Sequence, residues 1–242
     1  MPNLKEIVFA AEDEFGKVIV IEDQSCRKLI FDSEVEQGCL FLNAPMQIAF
    51  EYQTVILQQV EQWHHQNNRN RPFKVLMLGL GSGSLTQHLL NCFDINLTVI
   101  ELRQKVIDCA YEFFALPDTP DIDVLQADAI DFCEQQLYPY DVIIVDIFDA
   151  NGEASQLNEA AFLNNLWRLT QQNGLLIFNL WHEWQGHPSD HPAQASRASQ
   201  KVVDFWQNFG KQLAANENQQ CQLNRYNIAS SQNLVLTLHK SV

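Results

Sequence analysis

The segment Val75-Leu-Met-Leu-Gly-Leu-Gly-Ser-Gly-Ser-Leu85 constrains this chain more than any other. An apolar run of strand character ends in alternating glycines and passes directly into a helix-like stretch. Strand, glycine turn and helix in that order are how an open α/β sheet makes a nucleotide pocket. Gly79 allows the tight turn, while Gly81 and Gly83, on either side of Ser82, let backbone approach a ligand closely. The next apolar run, Leu97-Thr-Val-Ile100, ends at Glu101, which lies 101 − 79 = 22 residues after the first loop glycine. An acid about 20 residues on is expected to accept the hydroxyls of a ribose. The structural alternative is an ordinary glycine-rich turn beside a solvated glutamate.

The rest of the chain fits an α/β protein with a small addition at its front. Residues 1–46 contain Glu6-Ile-Val-Phe-Ala10, Lys17-Val-Ile-Val-Ile21 and Lys28-Leu-Ile-Phe31, three short strand-like runs separated by polar turns. They predict a small N-terminal antiparallel β region. A helix is expected from about 47 to 66, with Tyr52, Val55, Ile56, Val60 and Trp63 on one face. Asn67-Asn-Arg-Asn-Arg-Pro72 reads as a linker. From Phe73 strands near 73–79, 97–101, 122–126 and 141–146 alternate with helices near 83–92, 103–116 and 129–136. Apolar runs without alternation, such as Val142-Ile-Ile-Val145, suit parallel strands buried on both faces. A helix near 158–172, a strand at Leu175-Leu-Ile-Phe-Asn179, a helix near 196–214 and a hairpin across Ala229-Ser-Ser-Gln232 complete the expected pattern, so residues 47–242 read as one Rossmann-like domain led by a helix.

Composition narrows the partners. Fifteen basic and thirty acidic residues leave a net charge of −15, which argues against nucleic acid, whose binding needs clustered Lys and Arg. The same field would attract a small cationic substrate, although solubility alone also accounts for it. No apolar run reaches the ~18 residues of a membrane span, and no basic-then-apolar leader opens the sequence. A cytoplasmic protein without membrane contact is expected. Six scattered cysteines lack a Cys-x-x-Cys pair and read as reduced, mostly buried thiols, with Cys92 and Cys109 in apolar helical patterns. His182, His187 and His191 fall in a loop interrupted by Gly186, Pro188 and Pro192, which denies them the fixed spacing of a metal motif, so no metal is expected.

Four acids, Glu101, Asp128, Asp146 and Asp149, sit at or just after strand ends in the alternating region. Ligands of open α/β sheets bind outside the carboxyl ends of the strands, so all four can converge on one pocket. Asp128 can cap a helix or accept from an adenine amino group. A carboxylate at a buried strand end such as Asp146 can hold a cationic amine and take its proton. Tyr52 and Gln53 lie on the helix before the linker, where an aromatic side chain is by default core.

The chain resembles the spermidine synthase (polyamine aminopropyltransferase) family, and most closely its short bacterial spermidine-synthase-like branch. The resemblance spans residues 6 to 180. It rests on Phe15-Gly-Lys-Val-Ile-Val-Ile21, Phe50-Glu-Tyr-Gln53, the glycine loop, Val99-Ile-Glu-Leu102, Gln126-Ala-Asp-Ala129, Tyr140-Asp-Val-Ile-Ile-Val-Asp-Ile-Phe-Asp149 and Asn179-Leu-Trp181. It implies a class I S-adenosylmethionine-dependent transferase fold with a mostly parallel seven-stranded sheet. The implied reaction moves an aminopropyl group from decarboxylated S-adenosylmethionine to an amine such as putrescine. Glu101 would hold the donor ribose and Asp128 its adenine, with Gly79, Gly81, Ser82 and Gly83 forming the loop. Asp146 would accept the amine proton, Tyr52 and Asp149 would position the cationic acceptor, and Gln53 would contact donor or acceptor. Family members are often homodimers. Two positions depart from the family pattern. Ser82 stands where the family's aspartate binds the donor ammonium, and Ala150 follows Asp149 where a proline is usual. Methyltransferases of this fold often place an acid two residues before the first loop glycine, where this chain has Met77. An S-adenosylmethionine-dependent methyltransferase and a non-catalytic binder of an adenosyl ligand or polyamine remain the alternatives.

Overall fold

The computed structural model describes residues 5–32, 36–67, 71–149, 152–153, 158–183, 194–195, 197–215 and 220–241. It opens with a four-stranded antiparallel sheet of β1 (Glu6–Asp13), β2 (Gly16–Glu22), β3 (Cys26–Ile30) and β4 (Glu36–Phe41), paired in chain order. Three of these strands are expected from the sequence; β4 is not. It carries Gly38 in its middle and pairs with β3 through a register shift between Leu29 and Ile30, and a glycine-bearing, irregular strand lacks the clean alternation that signals one. The sheet packs Val18, Val20, Leu29 and Phe31 against Val106, Cys109 and Phe114.

Helix α1 (Glu51–Asn67) follows, starting later than its apolar periodicity suggests, and turns Ile56, Val60 and Trp63 into the core. The alternating region comprises β5 (Phe73–Leu78), α2 (Ser84–Cys92), β6 (Ile95–Glu101), α3 (Gln104–Phe113), β7 (Ile122–Gln126), α4 (Ala129–Gln135) and β8 (Tyr140–Val145). Short β9 (Phe148–Asp149) and β10 (Gly152–Glu153) pair with each other, and α5 (Ala160–Leu169) leads into the long β11 (Thr170–Glu183). After β12 (Gln194–Ala195), which pairs with the end of β11, come α6 (Arg197–Ala215), β13 (Gln220–Asn227) and β14 (Asn233–Ser241).

The main sheet runs β13-β14-β11-β8-β5-β6-β7, a mostly parallel seven-stranded Rossmann-like sheet in which β14 lies antiparallel to both neighbours. Helices cover both faces, and strand periodicity decides which residue meets which layer. Val75, Met77, Val142, Ile144, Leu175 and Ile177 face α1 and α2, while Leu76, Leu78, Ile143, Val145, Leu176 and Phe178 face α5 and α6. All six residues of β8 are buried, which is why that run is apolar without alternation.

The six cysteines are free, and Cys26, Cys39, Cys109 and Cys133 are buried. Cys92 departs from expectation: at the end of α2 it is exposed. Among the described residues no helix is long and apolar enough to cross a membrane. His187 and His191 lie outside the described residues, as do the side chains of His182 and Asp149.

Candidate active site

From β5 the chain moves to β6 and β7 on one side, then returns to β8 and β11 on the other. The strand order therefore reverses between β5 and β8, and a doubly wound sheet opens its crevice at that point, beyond the carboxyl ends of its strands. The glycine loop follows β5 and Asp146 follows β8. The two are tied by backbone, since the Asp146 N–H donates to the Leu78 carbonyl at 2.8 Å. Gly79 has φ 94°, and a Cβ there would run into the Asp146 carbonyl, so both the turn and the strand contact require glycine. A cavity of about 500 Å³ lies over this junction.

Glu101 ends β6 on the cavity wall. Its carboxylate accepts from the Leu80 N–H at 3.0 Å and the Arg103 N–H at 2.9 Å. Burial raises its pKa, and these two backbone donors work against that rise. The same donors fix the carboxylate plane beside the glycine loop. Arg103 is the one cation among the described residues lining the cavity. Its guanidinium is spoken for: it donates to both carboxylate oxygens of Asp13, at 3.1 and 2.8 Å, and to the Gly16 carbonyl at 2.8 Å, and it lies over the Phe31 ring. Arg103 thereby fastens the β1–β2 hairpin to the start of α3, while the cavity keeps an acidic lining.

Asp146 is held from two sides. Its Oδ1 accepts from Asn179 Nδ2 at 2.7 Å, and its Oδ2 accepts from the Tyr52 hydroxyl at 3.3 Å. Burial pushes its pKa up to about 6, against the pull of these two donors. The Tyr52 phenol is held well above its ordinary value by burial and then by the Asp146 charge, so it stays protonated and donates. Gln53, buried at the start of α1, accepts from Ser84 Oγ at 3.3 Å and places its Nε2 3.5 Å from the Tyr52 hydroxyl.

Tyr52, Gln53, Gly79, Gly81, Ser82, Glu101, Asp128 and Asp146 all line the one cavity. Asp128 also fulfils the capping alternative, accepting from the backbone N–H groups of Ile130 at 2.7 Å and Asp131 at 3.3 Å. Gly83 stands apart from the cavity wall as the N-cap of α2, and a Cβ there would meet the Leu116 side chain at 2.9 Å. Ser82 is 3% exposed and packs on Gly38 of β4, and the Gln37 carbonyl lies over Gly81. Residue-level reasoning misses Arg103, and it misses Asn179 and Asn233 as partners of the site. An asparagine closing an apolar run carries no charge signature, and Asn233 reaches the site only because β14 inserts beside β11. Among the described residues, no three His, Cys, Asp or Glu side chains gather in a metal-binding group.

Residues 49–205 match the model of the spermine/spermidine synthase domain. The polyamine aminopropyltransferase of Neisseria meningitidis serogroup A is 24% identical over 173 residues, covering 71% of this chain and 64% of its own length; the chain thus spans under two thirds of that relative. A probable spermidine synthase from Corynebacterium glutamicum superposes with a TM-score of 0.72 at 17% identity, covering 97% of this chain and 80% of its own. Human methyltransferase-like protein 13, in complex with SAH, superposes with a TM-score of 0.54 at 18% identity, over 69% of this chain and 72% of its own. The last two similarities concern the fold.

Proposed function

Because the chain belongs to the spermine/spermidine synthase domain family, we propose that it is a spermidine-synthase-like transferase. It moves an aminopropyl group from decarboxylated S-adenosylmethionine to a small polyamine-type amine. The observation that carries this reading is Asp146, a carboxylate at the sheet's switch point whose pKa is pushed up to about 6 and which shares the cavity with Glu101 and Tyr52.

In this reading residues 47–242 are the catalytic domain and residues 1–46 its β cover. The donor lies with its ribose hydroxyls on Glu101, its adenine amino group on Asp128 and its sulfonium near Gly79, Gly81 and Ser82. Tyr52 and Asp149 position the acceptor, and Gln53 contacts one or other substrate. The acceptor nitrogen attacks the carbon beside sulfur. The new N–C bond forms as the C–S bond breaks, the bond pair stays on sulfur and a neutral thioether leaves. Asp146 takes a proton from nitrogen as that bond forms. A carboxyl near 6 is a stronger base than an ordinary aspartate, and the sulfonium needs no activation, so positioning and proton removal supply the catalysis. A cytoplasmic location and a homodimer go with the family reading and rest on sequence alone.

Ser82 favours one other reading. A buried serine carries no charge to pair the lone ammonium of the decarboxylated donor and none to repel the carboxylate beside the ammonium of intact S-adenosylmethionine, which leaves methyl transfer as the alternative. Titration calorimetry with the two donors separates them. Tighter binding of the decarboxylated compound is expected; tighter binding of the intact one would reverse the assignment. Binding of either without turnover would point to a non-catalytic receptor.

A further inference from the structure

The apolar stripe that faces α1 runs across three adjacent strands, through Ile144 of β8, Ile177 of β11 and Val235 of β14. At the cavity end each strand replaces it with one polar residue on the same face: Asp146 after β8, Asn179 on β11 and Asn233 on β14. We propose that Asn179 and Asn233 are a positioning dyad that holds the Asp146 carboxylate in one orientation toward the cavity, with Asn233 acting through Asn179. The role in turnover rests on Asp146 being the base of the reaction proposed above.

The chemistry of an amide makes the second residue necessary. Asn179 has an amino end and a carbonyl end of nearly equal size, and only the amino end can face a carboxylate. The other neighbour decides which end does so. Asn233 Nδ2 donates to Asn179 Oδ1 at 2.9 Å, which turns the carbonyl end toward β14 and leaves the amino group for Asp146 at 2.7 Å. Asn233 is oriented in turn, because its Oδ1 accepts from Ser231 Oγ at 2.6 Å. The donors run in a single direction, Ser231 to Asn233 to Asn179 to Asp146, and each bond polarises the next. Asn179 is 1% exposed, so no water can readily take over its role. A neutral donor also suits a cationic acceptor. Lysine or arginine at position 179 would hold Asp146 more strongly but would repel an ammonium and cancel the charge that attracts it.

Among the described residues, the groups facing Asp146 are few. From α1 the titratable contact is the Tyr52 phenol; from β11 it is the Asn179 amide, backed by Asn233 of β14. Both contacts favour the ionised carboxylate and oppose burial, which dominates and leaves the group near 6.

Carbon-13 NMR of side-chain-labelled aspartate tests the dyad without turnover, with Asp146→Asn providing the assignment. In Asn179→Leu the Asp146 midpoint should move up by about one pH unit, the size expected for a lost hydrogen bond to a charged group. In Asn233→Leu it should move the same way by less, because the Asn179 amide becomes free to turn its carbonyl toward Asp146. The double variant should move no further than Asn179→Leu alone. An unchanged midpoint in folded Asn233→Leu, or strictly additive shifts in the double variant, would overturn the proposal. If Asn179→Leu does not fold, Asn233→Leu, where the replaced side chain is only half-buried, decides alone. A shifted titration in a protein that transfers no aminopropyl group would fault the function and leave the dyad standing.

Discussion

At Asp146 burial wins over two hydrogen bonds, and the direction of that imbalance fixes how the protein responds to pH. The carboxyl rises from an ordinary 3.8 to about 6. Between those values the folded state binds more protons than the unfolded state. Stability should therefore fall as pH rises from about 4 to 6 and stay at the lower level above that, the reverse of a salt-bridged aspartate. Asp146→Asn removes the charge and should abolish turnover while raising stability at pH 8 by about 1–2 kcal/mol, a few degrees in Tm for a chain of this size. The gain should vanish near pH 4, and scanning calorimetry at the two pH values measures it. For the wild type, the acid limb of kcat/KM should fall near pH 6, where the base becomes ionised. An Asp146→Asn variant that keeps its turnover would remove this residue from the chemistry. Asp146 and Glu101 are legible in the sequence because a carboxylate closing an apolar strand is expensive unless it has a task. Asn179 ends the apolar run Leu175–Phe178 inside β11 just as directly, yet a neutral amide there carries no signal until its neighbours on β8 and β14 are known.

The elements that the sequence foretells well are those whose apolar runs are punctuated on both sides. Strands β5, β6, β7 and β8 and helices α2, α3 and α4 fall within a few residues of their expected ends, because glycine, proline or polar residues bound each of their apolar runs. Besides the two-residue strands β9, β10 and β12, strand β4 is the element that periodicity misses, and it rests on the glycine loop. Its Gly38 leaves room for the Ser82 side chain, and a Cβ at position 38 would overlap both Ser82 Cβ and Oγ. Gly38→Ala should therefore push β4 away from the loop and weaken donor binding about tenfold, roughly 1.4 kcal/mol. Ser82→Gly in the same chain should restore part of the affinity by emptying that space, and calorimetry on the single and double variants tests the coupling. Independent, additive losses would show that β4 does not shape the loop.

Over the whole molecule, the −15 charge and the acidic cavity act in the same direction on a cationic amine. Arg103 adds no free positive charge to that cavity, because Asp13 neutralises it. The KM for the amine should rise severalfold between low salt and about 0.2 M salt, where the screening length drops below about 10 Å. Affinity for an uncharged thioether nucleoside should hardly change over the same range, and a parallel decline of both would point to a general loss of structure. The sheet order has a further consequence for how this protein comes into being. Strand β13 is made before β14 yet lies outside it, and its pairing in the sheet is with β14. A chain emerging from the ribosome can assemble β5, β6, β7, β8 and β11 into a parallel sheet while β13 still waits for a neighbour. Asn233, the first residue of β14, arrives later still. The nascent protein should thus acquire Tyr52, Glu101, Asp146 and Asn179 before Asn233, so a chain cleaved before β14 would keep those cavity residues and lose the one that orients the Asn179 amide.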